Sequence, residues 1–173
     1  LKPALEMYRE LHDTWGITVS LYALGMSYLG GGKFQQIPDL PQARALLLEA
    51  NTILQKSGDL HLRARVCKMQ GLIAMFSQDY DEAERMTQVA LELNRQSGNM
   101  LRVAGDLNNL SLCALFRNNI TESDRYLEES LAVARHTGSP WGMTLATNNL
   151  VNNALVTGRY ARAEAFANQL YTV

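Results

Sequence analysis

The residues that could support catalysis or metal binding in this chain are few and far apart. His12, His61 and His136 lie in or beside predicted turns, not on one helix face with carboxylates. No group of His, Cys, Asp and Glu has the spacing of metal ligands. The Gly-Gly-Gly-Lys run at 30–33 has the composition of a phosphate loop. However, it follows a predicted helix instead of a strand, and Phe34 stands where such a loop places Ser or Thr. The sequence therefore predicts no enzymatic activity, no metal and no cofactor.

Cysteine usage and charge limit the compartment and the partners. Cys67 and Cys113 lie on predicted apolar helices, where buried free thiols are expected, and this predicts a reducing, cytoplasmic location. The 16 basic and 17 acidic residues give a net charge of −1, whereas nucleic-acid binding needs clustered positive charge. No apolar run approaches the ~20 residues of a membrane span. Neither nucleic acid nor a membrane is expected as a partner.

The strongest pattern in the chain is a repeat with a period of 40 residues. Glycine-containing turns at 56–59, 96–99 and 136–139 are equally spaced, and the Asn-Asn-Leu runs at 108–110 and 148–150 follow the same spacing. A fixed period of this size is typical of repeat arrays. Hydrophobic periodicity places two helices in each period. The sequence therefore predicts an all-α fold built as a solenoid of antiparallel helix pairs.

Turn residues bound the predicted helices. These helices lie at about 3–12, 15–29, 41–57, 61–77, 81–97, 101–116, 122–136, 140–157 and 161–173. They predict a single domain over 1–173, with a partial repeat at 1–13 and repeats at about 14–58, 59–98, 99–138 and 139–173. Gly138 is expected to end a helix in the left-handed conformation. Thr121 is expected to cap the next helix, with Asp124 in the capping-box position.

Aligning the repeats also shows equivalent small residues and one insertion. Ala43, Ala83, Ser123 and Ala163 are equivalent, as are Ala50, Ala90 and Ser130, and their size should let neighbouring helices approach closely. Tyr80, Ile120 and Tyr160 are expected to fill the turns within the pairs. Six extra residues lie in the glycine- and proline-rich stretch 30–41, which predicts a loop of unknown role. The chain begins and ends within a predicted helix, which suggests a fragment of a larger protein.

The repeats resemble the tetratricopeptide (TPR) family. Leu24-Gly25-x-x-Tyr28, then Ala43-x-x-x-Leu47 and Ala50, is similar to the family pattern over the whole chain. The period is 40 instead of 34, and the usual proline after the second helix is absent. The Asn-Asn-Leu runs and the Gly138-to-Trp141 spacing resemble the long repeats of large bacterial signalling ATPases, including LuxR-type regulators. The resemblance implies a right-handed superhelix next to a nucleotide-binding switch domain.

The resemblance also implies a binding surface, because the first helix of each TPR pair lines a concave groove. Carried over by position, it places Tyr22, Met26, Arg65, Lys68, Asn108, Asn148 and Asn152 on that groove. Arg65 and Lys68 could hold a carboxylate of a peptide or of an acidic side chain. Asn108 and Asn148 could clamp an extended backbone, or could bond each other or helix ends between repeats. For Asn109 and Asn149 the structural role is preferred.

The sequence leaves two alternatives open for the role of the tryptophans and two for the function of the chain. Trp15 and Trp141 are expected to cover junctions between repeats, with ligand stacking as the alternative. The expected function is a protein- or peptide-binding scaffold or sensor within a larger bacterial transcriptional or signalling regulator. The alternative is a small-molecule inducer sensor that controls the attached switch domain. The partner would be a separate protein or peptide, or another domain of the parent protein, and self-association through exposed terminal repeats is also possible.

Overall fold

A computed structural model describes residues 1–29 and 39–170, and every regular element in these ranges is an α-helix. The helices are α1 (Lys2–Glu10), α2 (Thr14–Tyr28), α3 (Leu40–Ser57), α4 (Leu60–Phe76), α5 (Tyr80–Gln96), α6 (Met100–Phe116), α7 (Ile120–His136), α8 (Pro140–Val156) and α9 (Tyr160–Leu170). The predicted all-α fold is confirmed, and the helix ends fall within one or two residues of the prediction at almost every turn.

The helices form two compact units, Leu1–Leu93 and Asn94–Val173. In the first unit α1, α2, α3 and α4 pack each against the next, and in the second α6, α7, α8 and α9 do the same. We call α2, α4, α6 and α8 the A helices and the others the B helices. Helix α5 spans the boundary between the two units, and the single domain over 1–173 stays a prediction.

The turns between helices are built from a left-handed residue followed by a capping residue. Gly58, Gly98, Gly138 and Gly158 have positive φ, as predicted for Gly138, and so do Gln78 and Asn118. At positions 79, 99, 119, 139 and 159 the residue after the left-handed one donates its N–H to a carbonyl five residues earlier, for example Ser139 to Ala134 at 2.9 Å. The left-handed residues thus recur every 20 residues from 58 to 158, which divides each repeat into two equal halves.

Side-chain caps follow the left-handed residue and correct two predictions. Asn119, not Thr121, caps α7, because its side chain accepts the Glu122 N–H at 3.2 Å. Asp59, Asp79 and Ser139 cap their helices in the same way. Tyr80, Ile120 and Tyr160 are the first residues of helices; Tyr80 and Ile120 are half-buried, and Tyr160 is exposed. Residues 40 and 41 of the predicted loop belong to α3, and 30–38 lie outside the described residues.

The core confirms the role of the small residues. Ala43, Ala83, Ser123 and Ala163 are buried, as are Ala50, Ala90 and Ser130. At the start of α2 the approach is closer still: a Cβ on Gly16 would lie 2.3 Å from the ring of Tyr8. The equivalent Gly142 faces Ala134, where the same Cβ would be 3.0 Å from the alanine methyl. These two contacts show that α1 packs on α2 as α7 packs on α8.

Candidate functional site

The A and B helices differ sharply in charge. Across all four A helices the charged residues are Arg63, Arg65, Lys68, Arg102 and Asp106, and α2 and α8 contain none. Asp106 is fully buried, where its carboxylate accepts a hydrogen bond from Asn94 Nδ2 at 2.6 Å. The other 16 acidic residues lie on B helices, in turns or beside them. The exposed faces of the A helices are therefore neutral or basic.

In the first unit the structure brings predicted site residues together on α2 and α4. The guanidinium carbon of Arg65 lies 4.6 Å from the centre of the Tyr22 ring, a cation–π contact. Arg65 is exposed, while Tyr22, Met26 and Lys68 are half-buried. Lys68 follows Arg65 by three residues, so both lie on one face of α4. The stacked ring limits the freedom of the guanidinium and leaves its edge for a carboxylate.

In the second unit the predicted asparagines separate into two classes. Asn148 and Asn152 are exposed on α8. Asn108 is buried, and its Nδ2 bonds Ala104 O at 2.9 Å and Ser130 Oγ at 2.6 Å, while its Oδ1 accepts from Asn149 Nδ2 at 3.1 Å. Asn108 and Asn149 thus bond across adjacent repeats, which is the structural alternative. We leave Asn108 out of the binding surface, because α8 and α7 already occupy its polar atoms.

Exposed apolar residues extend the A-helix faces. Trp15 and Trp141 are 64% and 69% exposed, so the prediction that they cover junctions is wrong. In the first unit Phe76 is also exposed at the end of α4, and in the second unit Leu101, Phe116 and Val156 are exposed at the ends of α6 and α8. Positions 76, 116 and 156 are 40 residues apart, as are 101 and 141, and this spacing was a signal that the sequence offered.

The histidines of the chain lie at its surface, and its two cysteines lie in the core. His12, His61 and His136 are exposed in or beside turns, and Cys67 and Cys113 are buried free thiols. Burial raises the pKa of Cys67 to about 11, although Arg63 and Arg85 act in the opposite direction. A thiol with this pKa is a poor nucleophile near neutral pH. Within residues 1–29 and 39–170, no group of three His, Cys, Asp or Glu residues could hold a metal ion.

The geometry of these helix pairs defines a TPR-like helical repeat fold. No family model and no curated protein matches the chain. Among solved structures, BtubC (BKLC) from P. vanneervenii is similar with a TM-score of 0.86 and 20% identity, covering 99% of this chain and 69% of that one. A signal transduction ATPase with numerous domains (STAND) with a TPR sensor, from Pyrococcus horikoshii, has a TM-score of 0.75 and 16% identity.

The coverage of these structures differs. The likeness to the STAND protein spans 97% of this chain but 26% of that chain. Kinesin light chain TPR-like repeats from Podospora anserina give a TM-score of 0.63 and 12% identity over 97% of this chain and 90% of that one. Identities this low show a shared fold. In the part of the chain that the structure describes, no helix is long and apolar enough to cross a membrane.

Proposed function

We propose that this chain is a protein- or peptide-binding module whose A-helix faces receive the partner. The observation that carries the proposal is the charge separation between helices: exposed charges on the A helices are basic, and the acidic side chains lie elsewhere. A partner segment with an acidic side chain between apolar residues would complement the α2–α4 face. Its carboxylate would meet Arg65 and Lys68, and its apolar groups would pack near Tyr22 and Met26.

We further propose that the module serves as the sensor or scaffold part of a larger bacterial regulator of the STAND type. The fold shared with the TPR sensor of the P. horikoshii protein supports this assignment. The bound segment then belongs to a separate protein or to another domain of the same polypeptide. Regulation of transcription, a cytoplasmic location, the absence of catalysis and the absence of nucleic-acid binding complete this proposal. Contacts of Asn148 and Asn152 with a peptide backbone, and self-association through the terminal helices, stay predictions.

The proposal can be tested with defined peptides on an array. Acidic peptides with apolar flanks should bind, and the same peptides with Lys in place of the acids should not. Binding of the best peptide is then measured by fluorescence polarisation. Arg65→Glu with Lys68→Glu should weaken it at least about tenfold, because two charge-assisted contacts become repulsive.

Arg44→Glu provides the matched control, since Arg44 is exposed on the B helix α3. It changes the net charge in the same direction but should leave the affinity unchanged. Equal weakening by Arg44→Glu would mean that only the net charge matters. Unchanged affinity of the Arg65/Lys68 double variant would rule out this face as the binding site.

A further inference from the structure

A cleft of about 190 Å³ lies in the first unit among α1, α2 and α3, away from Arg65. Its floor is apolar and consists of Leu5, Leu24 and Leu46, all part of the core of this unit. Its rim is polar. The rim consists of Lys2, Glu6, Arg9, Tyr28 and Gln42.

In the second unit the corresponding residues pack with an aromatic ring. Because α1, α2 and α3 correspond to α7, α8 and α9, Leu5 and Leu24 correspond to Leu131 and Leu150. Those two leucines pack in one cluster with Phe166, which is the counterpart of Leu46. An aromatic ring thus stands in the second unit where the first has a smaller side chain. Tyr28 stands where the second unit has Ala154, and the cleft that it lines in the first unit has a volume of about 190 Å³.

The charges of the polar groups at the rim of the cleft differ from those of their counterparts in the second unit. In the second unit the Arg162 guanidinium lies 5.4 Å from the Phe166 ring centre and bonds Glu128 Oε1 at 2.5 Å. The counterparts of Arg162 and Glu128 in the first unit are Gln42 and Lys2. The first unit therefore lacks both the ring and the carboxylate, and places an ammonium group where the carboxylate would be.

We propose that this cleft binds a small monocarboxylate carrying one aromatic ring. The ring would occupy the space that Phe166 fills in the second unit, and the carboxylate would meet Lys2 and the nearby Arg9. A cavity of about 150 Å³ suffices for benzene in an engineered protein core, so a cleft of about 190 Å³ has room for one ring. Arg9 already bonds Glu49 at 2.5 Å, and Glu6 adds a negative charge to the rim, which favours one carboxylate over two. The site is independent of the proposed partner-binding face.

Titration of the 173-residue chain with phenylacetate, followed by methyl NMR, tests this site. We expect saturable shifts of the Leu5, Leu24 and Leu46 methyl signals. Leu46→Phe should abolish the shifts of the remaining leucines, because the new ring fills the cleft as Phe166 does in the second unit. Leu48→Phe adds the same ring two residues away on α3, at an exposed position outside the cleft, and should leave binding intact.

The charged end of the ligand is tested separately. Lys2→Glu introduces the residue that stands at the corresponding position of α7, and should weaken phenylacetate binding about tenfold or more. Binding of benzyl alcohol, which has no charge, should be weaker than that of phenylacetate and insensitive to Lys2→Glu. Circular dichroism checks the helix content, and if Leu46→Phe fails to fold, the surface variant Lys2→Glu decides alone. Undiminished phenylacetate binding in Leu46→Phe or in Lys2→Glu would overturn the proposal.

Discussion

The left-handed residues at the helix ends show how single positions differ between otherwise equal turns. Within the A-to-B turns of the repeats, position 158 is Gly, whereas positions 78 and 118 are Gln and Asn with φ of 60°. Glycine adopts this conformation without a Cβ penalty, and Asn tolerates it better than Gln does. The backbone conformation is thus the same in these turns, whereas the conformational free energy needed to adopt it differs between Gly, Asn and Gln.

Gln78→Gly should stabilise the protein. Glycine removes the free-energy cost of holding Gln in the left-handed conformation, and this gain outweighs the backbone entropy that glycine adds to the unfolded chain. The free energy of unfolding should therefore rise by about 0.5 kcal/mol. Urea unfolding followed by circular dichroism measures this change as a higher midpoint. Gly158→Gln should lower the midpoint, and Asn118→Gly should change it less than Gln78→Gly. A lower midpoint for Gln78→Gly would contradict this explanation.

At the residue scale, the sequence predicted on which helix a residue lies better than it predicted the burial and the contacts of that residue. The stacked Tyr22 and Arg65 were found because family position alone placed both on the A helices. Asn108 and Asn148 occupy equivalent positions, yet one is buried and the other exposed. Repeat alignment cannot distinguish them, because burial depends on which helix packs over each one. The cap of α7 was misplaced since Asn118 takes the left-handed position and moves the cap to Asn119.

At the scale of elements, α9 is fastened to α7 through one buried carboxylate. Asp124 Oδ2 accepts from Arg159 Nη1 at 2.6 Å and from Arg162 Nη1 at 3.2 Å. Its Oδ1 accepts from Asn153 Nδ2 on α8 at 3.2 Å. Three helices or their turns therefore meet at a single side chain, which the capping-box prediction had assigned to a local role. A local sequence motif could not reveal these long-range partners.

Asp124→Asn should therefore loosen α9 selectively. The amide cannot balance two guanidinium groups, and the expected loss of stability is about 2 kcal/mol. Hydrogen exchange should become faster in α9 than in α6. Glu128→Gln is the control on the same helix, because its pair with Arg162 is exposed and should contribute less than about 1 kcal/mol. Equal effects of the two variants would show that Asp124 is not the main attachment.

Helix ends were predictable from the sequence because the same signals recur at every turn. Glycine or asparagine in the left-handed position, followed by Asp, Asn or Ser, bounds most of the described helices. The first repeat was harder to bound, since its extra residues have no counterpart in the other repeats. There the prediction extended the loop to 41, whereas Asp39 caps α3 by accepting the Gln42 N–H at 3.0 Å.

At the scale of the whole molecule, each repeat depends mainly on its neighbours in the chain. Leu24 and Leu150 occupy equivalent positions on α2 and α8, and both are buried, each in the core of its own unit. In repeat arrays, stability is close to a sum of terms for repeats and for adjacent interfaces. Damage at one position should consequently be felt most strongly in the unit that contains it.

Leu150→Ala should cost about 2–5 kcal/mol in the second unit, because it leaves a cavity between α7, α8 and α9. Hydrogen exchange measured by mass spectrometry should accelerate in those helices more than in α2 and α3. Leu24→Ala is the mirror experiment and should reverse the order. A uniform loss of protection along the chain in both variants would show that the units unfold together instead.

The function-bearing features at this scale were only partly visible in the sequence. The separation of acidic from basic residues can be seen as soon as the helices are assigned, so the α2–α4 face could be predicted from the sequence. The cleft among α1, α2 and α3 could not, because its volume depends on how Leu5, Leu24, Tyr28 and Leu46 pack together. A cleft of this kind can be recognised only when the packing of the side chains is known, and a hydrophobic pattern in the sequence does not give that packing.

The 20-residue half-period has a consequence for how such a gene can grow. Each helix from α4 to α8 has 17 residues and is followed by a three-residue turn, so A and B halves are equal in length. Duplication of 40 codons adds one pair and keeps every later helix in its role. Deletion of 20 codons preserves the spacing of the turns but exchanges the roles downstream, so that B helices, which carry most of the acidic residues, take the positions of A helices, whose exposed faces are neutral or basic. Recombination in this gene is therefore free to change the number of repeats only in whole pairs.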